Sequence, residues 1–98
     1  MISREDFIFT IGYDGETAIV DGREKRRYGR LGTRELADAG RFKPALCSGL
    51  YEDDAGALAY VLEQYNRRTE TRVDSIQHLK RVFGVTDVPE AINKTLIC

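Results

Sequence analysis

The stretch DFIFTIGYDGETAIVDG, Asp6 to Gly22, limits what this chain can fold into more than any other. Two runs rich in β-branched and aromatic residues flank Asp14-Gly15. A two-residue Asp-Gly connection supplies the positive φ angles of a type I′ turn, so the segment is expected to form a β-hairpin. That turn sets a register with Tyr13 opposite Glu16, Gly12 opposite Thr17, Ile11 opposite Ala18, Thr10 opposite Ile19 and Phe9 opposite Val20. Side-chain alternation then collects Phe7, Phe9, Ile11, Ala18 and Val20 on one face, which is core. The other face holds Ile8, Thr10 and Ile19, interrupted by Gly12 and Thr17. It is half apolar and needs cover from a helix, a third strand or a partner chain, because a lone hairpin is marginal in water.

The rest of the chain reads as helices. Thr33 caps a short one to about Ala39, stopped by Gly40. Pro44 opens a second, PALCSGLY, with Phe42, Leu46 and Leu50 as its apolar stripe and Ala45 and Gly49 small enough for a close neighbour. The strongest runs from about Asp53 to Arg67, with Ala55, Leu58, Ala59, Val61, Leu62 and Tyr65 on one arc. Tyr60 falls outside that arc and is expected to be exposed. Asp74 caps a helix to about Phe83, with Gln77 in a capping-box position and Gly84 at its end. A last short helix is expected from Val88-Pro89, carrying Val88, Ile92 and Leu96. The fold class is α+β: an N-terminal β-hairpin, with a third strand available from the basic segment, packed on about four or five helices. Residues 1–98 form a single compact domain, with a core drawn from Phe7, Phe9, Ile11, Val20, Leu36, Leu46, Leu58, Leu62, Ile76, Leu79, Phe83 and Ile92.

Composition enters through charge. The chain is 42% hydrophobic and 32% charged, which is globular material, and its net charge of −1 gives no general attraction to nucleic acid or acidic membranes. The charge is banded, however: residues 1–20 carry −3, 21–34 carry +4, 35–66 carry −4 and 67–98 carry +2. The basic band is GREKRRYGRLGTRE, with Arg23, Lys25, Arg26, Arg27, Arg30 and Arg34 around Tyr28. Lysines and arginines neutralise phosphates, and a tyrosine can stack on a base. The alternative is a solvated connection whose cations pair with the flanking acidic bands.

Within that band, YGRLGTREL contains Gly29-x-x-Gly32 ahead of a helix. Over about nine residues it resembles the loop by which KH domains clamp a nucleic-acid backbone. A KH domain carries an apolar amphipathic helix before that loop, whereas Arg23 to Arg27 stand there in this chain, after a hairpin, so the family is not assigned. SIQHLKRVFGVTDVPEAINKTL likewise resembles a helix-turn-helix, with its turn at Gly84-Val85. It departs from that pattern at Lys80, where a small residue is wanted, at Glu90, where an apolar one is, and at Pro89.

Few residues offer catalytic or metal chemistry. His78 is the lone histidine, and with Cys47 and Cys98 far apart in sequence there is no zinc-type spacing. A Cys47–His78 pair is the one sensible nucleophile arrangement, though Cys47 between Leu46 and Leu50 reads as a small core residue. Cys98 is expected to be exposed and open to intermolecular oxidation. Glu52-Asp53-Asp54 lacks the alternating oxygen ligands of a calcium loop and reads as helix capping. No catalytic, cofactor or metal site is therefore expected. No apolar run is long enough to span a membrane, no signal peptide is recognisable, and two cysteines suit a reduced, cytoplasmic setting. The leading expectation is a non-enzymatic module that binds another protein or itself through Ile8, Thr10, Ile19 and Tyr60. The alternative is a nucleic-acid-binding module using Arg23 to Arg34.

Overall fold

The computed structural model describes residues 2–98, and the fold is α+β, a hairpin-based sheet packed on helices. In chain order the elements are α1 (Arg4–Ile8), β1 (Thr10–Asp14), β2 (Thr17–Val20), α2 (Gly22–Tyr28), α3 (Thr33–Asp38), α4 (Phe42–Glu52), α5 (Ala55–Thr69), α6 (Ile76–Phe83) and β3 (Lys94–Ile97). The sheet order is β1-β2-β3, with β1 antiparallel and β3 parallel to β2.

The hairpin forms, but its first strand is shorter than the alternation suggests. The Ser3 hydroxyl accepts from the Asp6 amide, and Glu5 and Asp6 sit in the first turn, where the helix dipole favours acids. Arg4–Ile8 is consequently helical, and Phe7, Ile8 and Phe9 are all buried at its end. The turn also lies one residue later than expected: Asp14 pairs with Thr17, and the positive φ falls on Gly15 alone. Glycine at the first loop position is the requirement of a type II′ turn. A bulge between Thr10 and Gly12 then puts Thr10, not Ile11, opposite Val20. The extra residue turns Ile11 out to 61% exposure, so Ile11 is not core.

Ala18 and Val20 face the helices and are fully buried. They pack in one cluster with Phe7, Leu36, Leu46, Val61 and Leu79, against which Leu58, Leu62, Ile76 and Phe83 are partly buried. Helices α4 and α5 approach closely at Gly49, where a Cβ would lie 2.6 Å from Leu58 Cδ2. Local caps explain the helix starts. Asp21 accepts from the Arg23 and Glu24 amides, Asp54 from Ala57, and Ser75, rather than Asp74, from His78.

Two expectations for the sheet and C-terminal segment are corrected. The basic segment is a helix, not a third strand, because Asp21 caps it and Glu24 sits in its first turn. The third strand is Lys94–Ile97, where a helix is expected from Val88, Ile92 and Leu96. Spacing by four is equally met by chain in which Ile92 is buried and Leu96 lies on a strand, and the open edge of β2 supplies the ladder.

Candidate nucleic-acid interface

Helix α2 places Arg23, Arg26 and Arg27 on its outer surface, and Arg30 follows one turn later; all four are exposed. The spacings of three and four residues put these guanidinium groups on neighbouring turns. None has a carboxylate within ion-pair distance among the described residues. Two acids of the 35–66 band pair elsewhere: Glu52 is 3.0 Å from Arg4 and Glu63 is 2.8 Å from Arg67. The basic residues next to them behave differently. Lys25 Nζ lies 2.6 Å from Asp6 Oδ1 and is tied to α1. Glu24 turns toward Arg41 at 3.6 Å rather than toward its own helix.

Between α1 and α2 lies an open cleft of about 1030 Å³, lined by Arg4, Glu5, Gly22, Lys25, Arg26, Gly29, Arg30 and Ile97. Four cations and a single carboxylate face it. Arg4 is the residue sequence reasoning misses. Its Nη2 donates to Leu31 O at 2.7 Å and to Ser48 Oγ at 2.8 Å, and its Nη1 reaches Gly29 O at 3.4 Å. Those partners lie 25 to 44 residues away, and no local pattern announces them.

Two residues of the sequence-derived set do not join the patch. Tyr28 is half-buried, its hydroxyl accepts from Arg41 Nη2 at 2.6 Å, and the Arg41 guanidinium carbon lies 4.4 Å from its ring centroid. Its ring is already covered by a cation and is not an open platform for a base. Arg34 sits on α3, 5.8 Å from the Tyr60 ring centroid, in a shallow recess with Glu35, Glu52 and Asp54. It shares that recess with three acidic side chains, unlike the α2 arginines.

The Gly29–Gly32 turn also works differently from the KH-type loop it resembles. The Leu31 amide donates to Tyr28 O at 3.0 Å and the Gly32 amide to Glu35 Oε1 at 3.0 Å, while Arg4 holds the carbonyls of Gly29 and Leu31. With those amides committed, phosphate contact falls to side chains. Gly29 has ordinary helical dihedrals; it is small because a Cβ would meet Lys25 O at 2.5 Å. The helix-turn-helix reading fails outright: α6 ends at Gly84, and the next element is β3, so there is no recognition helix.

The expected protein-contact residues are also redistributed. Ile8 is 2% exposed inside the core and is not available to a partner. Thr10 donates its hydroxyl to Asp6 O and lies on the core side, opposite Val20. Tyr60 is half-buried and donates to Asp38 Oδ1, a bond that raises its pKa from the ordinary value. Ile19 alone remains on the outer face of the sheet, half-exposed.

Cys47 is buried, and that burial pushes its thiol from 9.0 up to about 12. The narrow cleft beside it is lined by Phe7, Thr10, Tyr13, Lys43 and Val85 among others, with no histidine. His78 Nδ1 lies instead 3.3 Å from Asp74 Oδ1. Cys47 and Cys98 are both free thiols. Among the described residues no three metal-binding side chains come together, and no helix is long and apolar enough to cross a membrane. No protein-family model matches the chain, no curated protein matches it, and no solved structure matches its fold.

Proposed function

We propose that this protein is a non-enzymatic module that binds the phosphate backbone of a nucleic acid through α2. One observation carries the reading: Arg23, Arg26, Arg27 and Arg30 are adjacent, exposed and without carboxylate partners. The sequence alone favours a protein-contact module on the strength of Ile8, Thr10, Ile19 and Tyr60. Ile8 is inside the core, Thr10 is bonded to Asp6 and Tyr60 to Asp38, so of that set only Ile19 still supports it. The buried Cys47, whose thiol stays protonated at neutral pH, offers no activated nucleophile, which fits the non-enzymatic part of the reading.

The chemistry of the patch selects the mode of binding. Arginine forks match phosphate oxygens in pairs, and they need no particular base. Tyr28 is covered by Arg41, so stacking on an unpaired base contributes little. The binding is therefore to backbone, tolerant of sequence, and at least as good for a duplex as for a single strand. The test is fluorescence anisotropy at low salt with a labelled duplex and a labelled single strand of the same length. Arg26→Ala and Arg27→Ala each reduce affinity for every sequence tried, by about three- to tenfold. Absence of binding at low salt ends the proposal, as does a variant with all four arginines replaced that binds as well as the parent.

A protein-contact reading retains one specific support, the outer face of the sheet, on which Leu96 is 56% exposed. It concerns a different surface and is taken up next.

A further inference from the structure

We propose that the outer face of the three-stranded sheet pairs with the same face of a second copy of this chain, about a two-fold axis running along β2. Register assigns the residues of that face. Gly12, Ile19 and Leu96 lie in one row across the sheet, and Asp14, Thr17 and Lys94 in the next. The opposite face carries Ala18 and Val20, which are fully buried in the core cluster. Leu96 stands 56% exposed, with Ile19 half-buried beside it. A Cβ built on Gly12 meets nothing within 4 Å, so the β1 end of the apolar row is a hollow.

The occupant follows from the pattern of these two rows. A two-fold axis along the central strand lays β1 of one copy over β3 of the other and β2 over β2. Leu96 then enters the hollow over Gly12 of the second copy and Asp14 meets Lys94, each contact occurring twice, while Ile19 meets Ile19 once, on the axis. Asp14 and Lys94 have no ion-pair partner within the chain among the described residues. Two strand spacings put them about 10 Å apart on their own sheet, too far to pair with each other. The face is thus self-complementary in both charge and shape. It is also small. Three short strands cover about half of the ~800 Å² per partner that a stable complex buries. The dimer is accordingly weak and concentration-dependent.

Sedimentation velocity on the full chain without nucleic acid tests this, at concentrations up to about 1 mM, where so small a contact is populated. The parent chain shows a reversible monomer–dimer equilibrium. Asp14→Lys alone and Lys94→Asp alone each weaken it by about tenfold, because each homodimer then carries two like-charge contacts. An equimolar mixture of the two variants dimerises as well as the parent, since their contacts are again of opposite sign. A parent chain that stays monomeric at the highest concentration overturns the proposal. So does a dimer indifferent to both charge changes, which would place the contact on the open β3 edge or another surface. Both positions are exposed and lie outside α2, so this result is independent of whether nucleic acid binds.

Discussion

Cys47 is the titratable side chain that burial shifts most. It lines a narrow cleft with Phe7, Tyr13 and Val85, and burial raises the thiol to about 12, with Lys43 acting in the opposite direction. A raised pKa means that the folded state holds the proton after the unfolded chain has lost it. Stability is then unaffected below about pH 9 and falls as pH climbs toward 12, by an amount on the order of 3–4 kcal/mol at the top of that range. Tyr13, also raised by burial, acts in the same direction. The Cys47 part is read from the difference between the parent and Cys47→Ala. Denaturant midpoints followed from pH 8 to pH 11 decline less steeply in the variant. A thiol reagent at pH 8 gives the same distinction: Cys98 reacts at once, and Cys47 reacts only as fast as the protein opens. Cys47 between leucines reads as core in the sequence, and it is. Ile11 reads as core and is not, because a single-residue bulge decides which way it faces, and Gly12 beside it is the only local sign of one.

At the scale of elements, what could be read in advance is what is local. The Asp54 cap, the apolar arc of α5, Gly40 and Gly84 as stops, and the small faces of α4 all depend on neighbours within a turn or two. What could not be read depends on distant partners or on competing local signals. Helix α1 exists because Ser3 and its acidic first turn outweigh the alternation of FIFTI, and β3 exists because β2 has an edge to offer more than seventy residues earlier. The junction between α2 and β3 rests on one small residue. A Cβ at Gly22 would lie 2.6 Å from Ile97 Cγ2 and 2.7 Å from Cys98 O, while the Gly22 amide donates to that same oxygen at 3.1 Å. Gly22→Ala therefore forces the strand away from the helix. The expected cost is about 1–3 kcal/mol, larger than the gain alanine brings to a helix. Thermal melts report the loss, and hydrogen exchange localises it to residues 94–97. If the variant matches the parent in both, β3 is not held against α2 as described.

Over the whole molecule, the banded charge in the sequence survives folding only in part, and this sets what the proposed binding of a polyanion would rest on. Net charge is −1, so no long-range field would draw nucleic acid in, and the proposal places the binding on the four arginines of α2 and its following turn that lack carboxylate partners. No carboxylate lies within ion-pair distance of these four among the described residues, and Asp6, Glu24, Glu52 and Glu63 pair instead with Lys25, Arg41, Arg4 and Arg67. That partition is invisible in a linear sequence, where all six basic residues of the band look equivalent. Its consequence is a quantitative salt dependence. With about four phosphates neutralised, the logarithm of affinity for a duplex falls against the logarithm of salt with a slope near −3.6, so raising salt from about 50 to 200 mM weakens binding roughly a hundredfold. Each arginine of the patch replaced by alanine lowers the slope by about 0.9. Arg34→Ala, with its guanidinium over the Tyr60 ring and acidic neighbours, leaves the slope as it is. A slope of about −5.4, or one that Arg34→Ala reduces as much as Arg26→Ala does, would mean that the whole basic band acts together and that the division described for it is wrong.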